Sequence, residues 1–251
     1  MKHIEKKHEA SGEIALDALA ANAALAGRTP PEIVQWAADT FGRKLIMTSS
    51  FGAESMCLIH MANTALPGIP IVFINTGYLF PQTLAFMEAL RNQYRLNVME
   101  FHSEHDPVVW LSINGESDPR VRQDVDACCK ANKNSVFDRA MTALAPAAWL
   151  RGIRADQSEL RAKMDVVEVN RRTQSLAISP LLKWTARDIH QYMRVNELPY
   201  HPLWNQGYAS IGCNPETCTR PLGDGQSQRD GRWSGTDKKE CGIHLDQGAG
   251  I

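Results

Sequence analysis

Short apolar runs alternate with longer amphipathic stretches along most of the chain. KLIMTSS, ending in the small residues Ser49 and Ser50, predicts a buried strand, and MCLIHMANTAL just after it predicts a helix. GIPIVFINTG, FPQTLAFMEALRNQYR and LNVMEFHS repeat the sequence as strand, helix and strand. AAWLRGIR, DVVEVN and SLAISPLL add three more strands. TARDIHQYMRVNEL is a helix opened by Thr185, with Asp188 at the spacing of a capping box. Strands that are apolar throughout and alternate with helices predict an α/β fold, its mostly parallel sheet covered by helices on both faces. The first 40 residues read as helical, and within them TPPEIVQWAADTFG has Thr29 as N-cap, prolines in the first turn and a stop at Gly42. After Tyr200 the composition shifts: residues 219–240 hold four glycines, many charges and few aliphatics. That composition predicts a loop or flexible C-terminal tail outside the core.

Composition narrows the function classes. The 251-residue chain carries a net charge of −1, so nothing draws it in bulk to nucleic acid or an anionic membrane. There is no run of 18 apolar residues, so no transmembrane helix is expected. The N-terminal stretch lacks an apolar core followed by a cleavage site, so no secretory leader is expected and the expected compartment is the cytoplasm. Thiols stay reduced there, and the six cysteines point to metal or redox chemistry more than to structural disulfides.

Two features carry candidate chemistry. The first is TSSFGAES, at the predicted end of a strand and start of a helix. Ser49, Ser50, Gly52 and Ser55 are small, so backbone can approach a ligand, and a helix N-terminus there suits a phosphate. It lacks the Lys-Ser/Thr ending of a Walker loop and is not a GxGxxG fingerprint. A plain strand–helix turn capped by Ser50 would use the same residues. The second feature is the cysteines. Cys128 and Cys129 are adjacent, and Cys213 and Cys218 form another local pair. Together they supply four thiolates, the ligand count of a 4Fe-4S cluster or a structural zinc, while two buried, inert pairs remain open. Cys57 lies among apolar residues and is assigned to the core. Cys241, in KKECGIH, stands beyond the Gly-rich segment. Lys238 and Lys239 precede it and could favour its thiolate, and Gly242 leaves access open. A stray exposed thiol is the alternative.

SSFGAES, INTGYLFPQT, CCKANK, GIRADQS, YHPLWNQGYASIGC with CTRP, GRWSG and KKECGIH, in this order, resemble the assimilatory adenylyl-sulfate/phosphoadenylyl-sulfate reductases from about residue 40 to the end. The loop pattern S-x-G-x-[DE]-S is similar to that of the adenine-nucleotide alpha-hydrolase (PP-loop) superfamily. Beyond the helical N-terminal segment 1–40, which carries no family motif, the resemblance implies a Rossmann-like fold with 41–205 as a nucleotide-binding α/β domain and 206–251 as a segment holding cluster cysteines and catalytic tail, all in one structural unit. It implies reduction of adenylyl sulfate to sulfite and AMP. Cys241 would be the nucleophile, carrying an S-sulfocysteine that thioredoxin or glutaredoxin resolves. Cys128, Cys129, Cys213 and Cys218 would ligate a 4Fe-4S cluster, and Lys133 would link cluster and sulfate. His244, Lys238 and Lys239 would offset charge at the sulfate. Ser49, Ser50, Gly52 and Glu54 would form the nucleotide loop; Thr76, Gly77 and Leu79 would lie near adenine and ribose. Gly152, Arg154, Gln157, Arg220, Arg229 and Arg232 would complete the substrate site. A homo-oligomer is a family trait.

This chain departs from the family in two places. The usual C-x₂-C is lengthened to Cys213-Asn-Pro-Glu-Thr-Cys218, where Pro215 favours a turn that lets the extra residues bulge out, or the site becomes one for zinc. Ala155 stands where the family commonly has a basic residue. The competing expectations are a phosphoadenylyl-sulfate reductase, a PP-loop ATP pyrophosphatase, and a zinc-stabilised binding module with an idle Cys241.

Overall fold

The computed structural model describes residues 18–114, 124–238 and 240–244. In chain order the elements are α1 (18–24), α2 (Pro30–Phe41), β1 (Leu45–Thr48), α3 (Ser55–Ala65), β2 (Ile71–Asn75), α4 (Pro81–Gln93), β3 (Val98–His102) and α5 (Pro107–Ile113). They continue with α6 (Val125–Cys129), a π-helical turn (Lys130–Asn134), α7 (Ser135–Leu144), β4 (Ala148–Leu150), α8 (Glu159–Ala162), β5 (Val167–Asn170), β6 (Ser175–Ile178) and α9 (Ala186–Val195). The six strands form one sheet in the order β3-β2-β1-β4-β6-β5. All neighbours are parallel except β5, which runs antiparallel to β6 at the edge.

Continuous apolar strands arise because both faces of the sheet are covered. Leu45, Met47, Ile71, Phe73, Ala148, Leu150, Leu176 and Ile178 point into a core shared with α1, α2, α3, α4 and α9. The alternate residues Ile46, Val72, Trp149 and Ala177 point into a second core with Phe137, Ala140 and Met141 of α7. The predicted caps are formed: Thr185 N–H donates to Asp188 Oδ2 at 2.7 Å, and Asp188 N–H donates back to Thr185 Oγ1 at 3.3 Å.

Helix α1 is part of the first core through Ala18 and Ala21, as is Leu25 in the turn that follows it. Its Asn22 amide also pairs with the edge strand, donating to Val167 O at 2.7 Å and accepting from Val167 N–H at 3.0 Å. Sealing exposed strand groups in this way blunts the sheet edge. The helical expectation for residues 1–17 falls outside the described residues. Among the described residues no helix is long and apolar enough to cross a membrane.

The C-terminal segment corrects one expectation. It is irregular, as its glycines and charges predicted, but it is not outside the core. Trp233, Cys241 and Ile243 are buried in the second core against the α7 face. The aliphatic count missed this because one indole, one thiol and one isoleucine suffice to anchor a segment that is otherwise polar.

Candidate active site

The strand order reverses at β1, which has β2 on one side and β4 on the other. In open α/β sheets such a switch point leaves a crevice beyond the carboxyl ends of the strands. A cleft lies there, and most of the predicted site residues line it. Ser49, Ser50, Gly52 and Glu54 come from the turn between β1 and α3, and Thr76 and Leu79 follow β2. Gly152, Arg154 and Gln157 follow β4. The C-terminal segment closes the other side with Arg229, Arg232, Cys241 and His244, and Lys133 enters from the π-helical turn.

The β1–α3 turn owes its shape to Phe51, a non-glycine residue at φ +48°. Its ring is fully buried edge-on against Phe73, centroids 5.4 Å apart, and its N–H donates to Ser49 Oγ at 3.0 Å. Burial of the ring holds a backbone angle that an aromatic residue otherwise avoids. Behind the turn, Arg154 is ion-paired to Glu54 and, at 3.0 Å, to Asp156, and it donates to Gln228 Oε1 at 2.6 Å. Burial pushes the Glu54 carboxyl upward against the pull of Arg154.

Three predicted residues lie elsewhere. Gly77 does not line the cleft: it has φ +80°, and a Cβ there would meet Pro107 Cγ at 2.7 Å, so its role is the turn after β2. Arg220 is exposed and away from the cleft; its backbone pairs with Gly231 O at 2.9 Å. Lys238 is ion-paired to Asp126 at the start of α6 and packs on Trp233, so it does not reach the cleft lining. Lys239 lies outside the described residues.

Cys241 is 5% exposed, which reverses the expectation that Gly242 leaves access open. A Cβ on Gly242 would run into the Asn134 side chain, so glycine is what lets this backbone close down on the π-helical turn. Burial pushes the Cys241 thiol up, but the Lys133 ammonium, the Ile243 N–H and Arg232 outweigh burial and Glu240, and the net direction is down. Lys133, and not Lys238, is the main cation acting on this thiol. Burial works against the Lys133 charge too, and Cys241 and Cys213 more than restore it. Burial and Arg161 hold His244 neutral, so it offers a hydrogen bond and not a charge; its Nδ1 is buried and has no partner among the described residues.

A second cavity adjoins the cleft. Cys128, Cys129, Cys213 and Cys218 all line it, together with Thr76, Asn132, Lys133 and Pro215. Thr76, Lys133 and Cys213 line both spaces. The lengthened Cys213–Cys218 stretch makes the expected turn, with Cys218 N–H on Pro215 O at 2.7 Å. Thr76 Oγ1 lies 3.3 Å from Cys213 Sγ, and Asn132 Nδ2 donates to Cys128 Sγ at 3.6 Å. All six cysteines are free thiols. Cys57 is fully buried, as assigned, its thiol pushed up to about 12 by burial.

Sequence reasoning missed several residues that shape the site. Arg161 donates Nε to Glu240 Oε2 at 2.7 Å and Nη2 to Glu240 Oε1 at 2.8 Å, and Cys241 N–H donates to the same Oε1 at 2.8 Å. Burial alone would raise the Glu240 carboxyl, but bonding to Arg161 holds it at about 2. The pair hooks the C-terminal segment to α8. Trp233 lies inside the quoted GRWSG, and Asn132 inside CCKANK; neither carries an obvious chemical handle.

Fold and cleft together define a doubly wound α/β protein with a ligand crevice at its switch point and a buried thiol across from the serine-rich turn. Residues 44–221 match the family described as the phosphoadenosine phosphosulfate reductase domain, and the chain belongs to that family. It is 37% identical over 226 residues to a phosphoadenosine 5'-phosphosulfate reductase of Synechococcus sp., covering 89% of this chain and 95% of that one. It is 35% identical over 224 residues to an adenosine 5'-phosphosulfate reductase of Halalkalibacterium halodurans, covering 89% and 94%. The fold superposes on phosphoadenylyl-sulfate reductase from Candida auris in its phosphate complex with a TM-score of 0.68 at 25% identity, covering 78% and 93%. An FMN adenylyltransferase from Candida glabrata shares the fold alone, at 13% identity and a TM-score of 0.51, covering 91% and 84%.

Proposed function

We propose that this chain is an adenylyl-sulfate reductase that takes its electrons from thioredoxin or glutaredoxin. The observation that carries the reading is the Cys241 thiol. It is buried in the cleft facing the serine-rich turn, and it is held toward its thiolate by Lys133. The thiolate attacks the sulfur of the sulfonucleotide. A Cys241–sulfur bond forms, the bond from sulfur to the phosphate oxygen breaks, and AMP departs with the electron pair. A dithiol reductant then attacks Cys241 Sγ, sulfite leaves with the pair, and the reductant closes its own disulfide. Lys133, Arg229 and Arg232 stabilise the anions through this exchange, and neutral His244 supplies a hydrogen bond. Because Cys241 is buried, the C-terminal segment must swing out for the second step.

The four thiols around one cavity fit a 4Fe-4S cluster: they are soft donors, free, and from two chain segments. Among the described residues, no group of three or more His, Cys, Asp or Glu is arranged to hold a single metal ion. Cys128, Cys129, Cys213 and Cys218 would hold the cluster, which supplies a fixed charge and not electrons. Lys133 lines both spaces and would stand between it and the sulfate. The resemblance ties cysteine pairs of this kind to adenylyl sulfate, while relatives named phosphoadenosine 5'-phosphosulfate reductase are the reason to keep the 3′-phosphorylated compound as the second substrate.

The test is sulfite release from both sulfonucleotides with a thioredoxin system, on protein purified without oxygen and assayed for iron and acid-labile sulfide. Faster turnover of adenylyl sulfate, with close to four of each atom per chain, is expected for this cluster type. Turnover of the 3′-phosphorylated compound by cluster-free protein would move the assignment to the second reading. AMP and pyrophosphate from ATP would overturn both.

A further inference from the structure

Gln228 and Glu240, both on the C-terminal segment, lie at two points of one hydrogen-bond chain that starts at the serine-rich turn. Glu54 immediately precedes α3, and its carboxylate makes no cap bond to that helix. It turns instead to Arg154, with which it is ion-paired, and to Gln228, whose Nε2 donates to Glu54 Oε1 at 3.0 Å. Gln228 Oε1 accepts from Arg154 Nη2 at 2.6 Å and from Gln157 Nε2 at 3.4 Å. Gln157 Oε1 accepts from Arg161 Nη1, and from the Arg154 N–H at 3.1 Å. Arg161 forks onto Glu240, and Glu240 Oε1 accepts the Cys241 N–H at 2.8 Å.

The chain thus runs from the turn to the backbone of Cys241. Both amides in it are committed: each oxygen accepts from two donors and each nitrogen donates, so neither Gln157 nor Gln228 can flip without losing bonds. Arg229 pairs with Glu240 at 3.3 Å, so the two ends of the stretch 228–240 are also tied to each other. Gln228 is half-buried and does not line the cleft, yet it is where this stretch reaches the turn. A phosphate bound at the turn adds negative charge beside Glu54. Like charges repel, so the carboxylate is driven onto its donors Arg154 and Gln228. The bond that anchors the C-terminal segment is then stronger with the turn occupied than with it empty, which is the differential contact that coupling requires.

We propose that Gln228 is a positioning residue: it couples the serine-rich turn to the Cys241 segment, so that an occupied turn holds the segment shut and an empty one lets it open. The inference rests on the sulfonucleotide reading above, in which the AMP portion occupies the turn. While nucleotide is bound, Cys241 is held in the cleft and kept from other thiols. Once AMP has left, the hook on Glu54 weakens, and the segment that carries Cys241 is released to the dithiol reductant.

Iodoacetamide labelling of Cys241 in the full chain, read by peptide mass spectrometry with and without AMP, tests the proposal. Calorimetry first gives the AMP affinity of each protein, so that AMP is used at a concentration that saturates it. Q228M keeps the length of the side chain and removes the amide. AMP should slow labelling by about fivefold or more in wild type and by less than about twofold in Q228M. Should Q228M fail to fold, Q228A supplies the same contrast. A variant whose labelling AMP slows by the same factor as in wild type, whatever its rate without AMP, would make Gln228 a plain structural contact and overturn the proposal alone. Wild type that binds AMP without any protection of Cys241 would do the same. A wild-type chain that does not bind AMP would overturn the sulfonucleotide reading and the proposal with it.

Discussion

The two walls of the cleft are built by different physics. The wall on the sheet is backbone geometry: strands β1, β2 and β4 end side by side, and their following turns deliver Ser49, Thr76 and Gly152. Among the described residues the opposite wall has no strand or long helix. Residues 229–244 have backbone bonds to Cys218 and Arg220 at one end and are otherwise held by side chains: Arg161 forked onto Glu240, cations around Trp233, and Lys238 on Asp126. A wall of backbone hydrogen bonds opens only when the domain unfolds. A wall of a few side-chain contacts can open alone, which the proposed second half-reaction requires.

The largest effect separates chemistry from structure. Cys241→Ser replaces one sulfur in the second wall, and turnover should fall by at least about 10³-fold while the melting temperature stays within a degree or two of wild type. Assay and calorimetry on the same preparation check this.

The next two substitutions set the walls against each other. Phe73→Ala hollows the first core beneath Phe51, where both rings are fully buried. It should cost about 3–5 kcal/mol of global stability, seen as a lower urea midpoint with a single transition. Arg161→Ala takes the fork from buried Glu240 and leaves Arg229, at 3.3 Å, as its remaining ion pair, so the loss to this contact is at most about 3–5 kcal/mol. Here the loss should be local. The urea midpoint should move far less than in Phe73→Ala, while alkylation of Cys241 by a neutral reagent speeds up at least tenfold. If both variants lower the urea midpoint equally and neither exposes Cys241, the walls are one cooperative unit and the contrast fails.

The first wall was legible in the sequence for the reason it is stable. A buried parallel strand must be apolar throughout, so LIMT and IVFIN announced themselves, and small residues after LIMT marked the turn. The second wall was legible only as motifs. Cys241 and Arg232 were picked out by chemistry, yet their burial was not, because three anchoring residues leave no periodic trace among glycines and charges. Helices α6 and α7 were likewise missed. CCKANK is too short and polar to show a helical stripe, and its π-helical turn breaks the 3.6-residue period. Arg161 and Glu240 lie 79 residues apart, and no local pattern can announce a pair at that distance.

The smallest effect concerns the loop that leads from α9 toward Cys213. His201 Nδ1 accepts the Leu203 N–H at 3.1 Å, so Nε2 carries the proton toward Thr83 Oγ1 at 3.0 Å. Burial pushes this imidazole down to about 4. The unfolded chain takes up a proton on His201 as pH falls through about 6.5, and the folded chain only near 4. This contribution to stability is therefore full above that window and is lost as pH falls across it. Urea midpoints should drop between pH 7 and pH 5, and His201→Gln should flatten the drop even if it lowers both values. An equal slope in the variant would assign the pH dependence elsewhere.

The central claim is that Cys241 attacks the sulfur of a sulfonucleotide. The direct measurement is intact-mass and peptide mass spectrometry of the chain after incubation with adenylyl sulfate in the absence of any thiol reductant. The account predicts one AMP released per chain and a mass gain of one SO₃ confined to the Cys241 peptide, removed with sulfite release when thioredoxin is added. AMP release with unmodified Cys241, or the adduct on another cysteine, would contradict it.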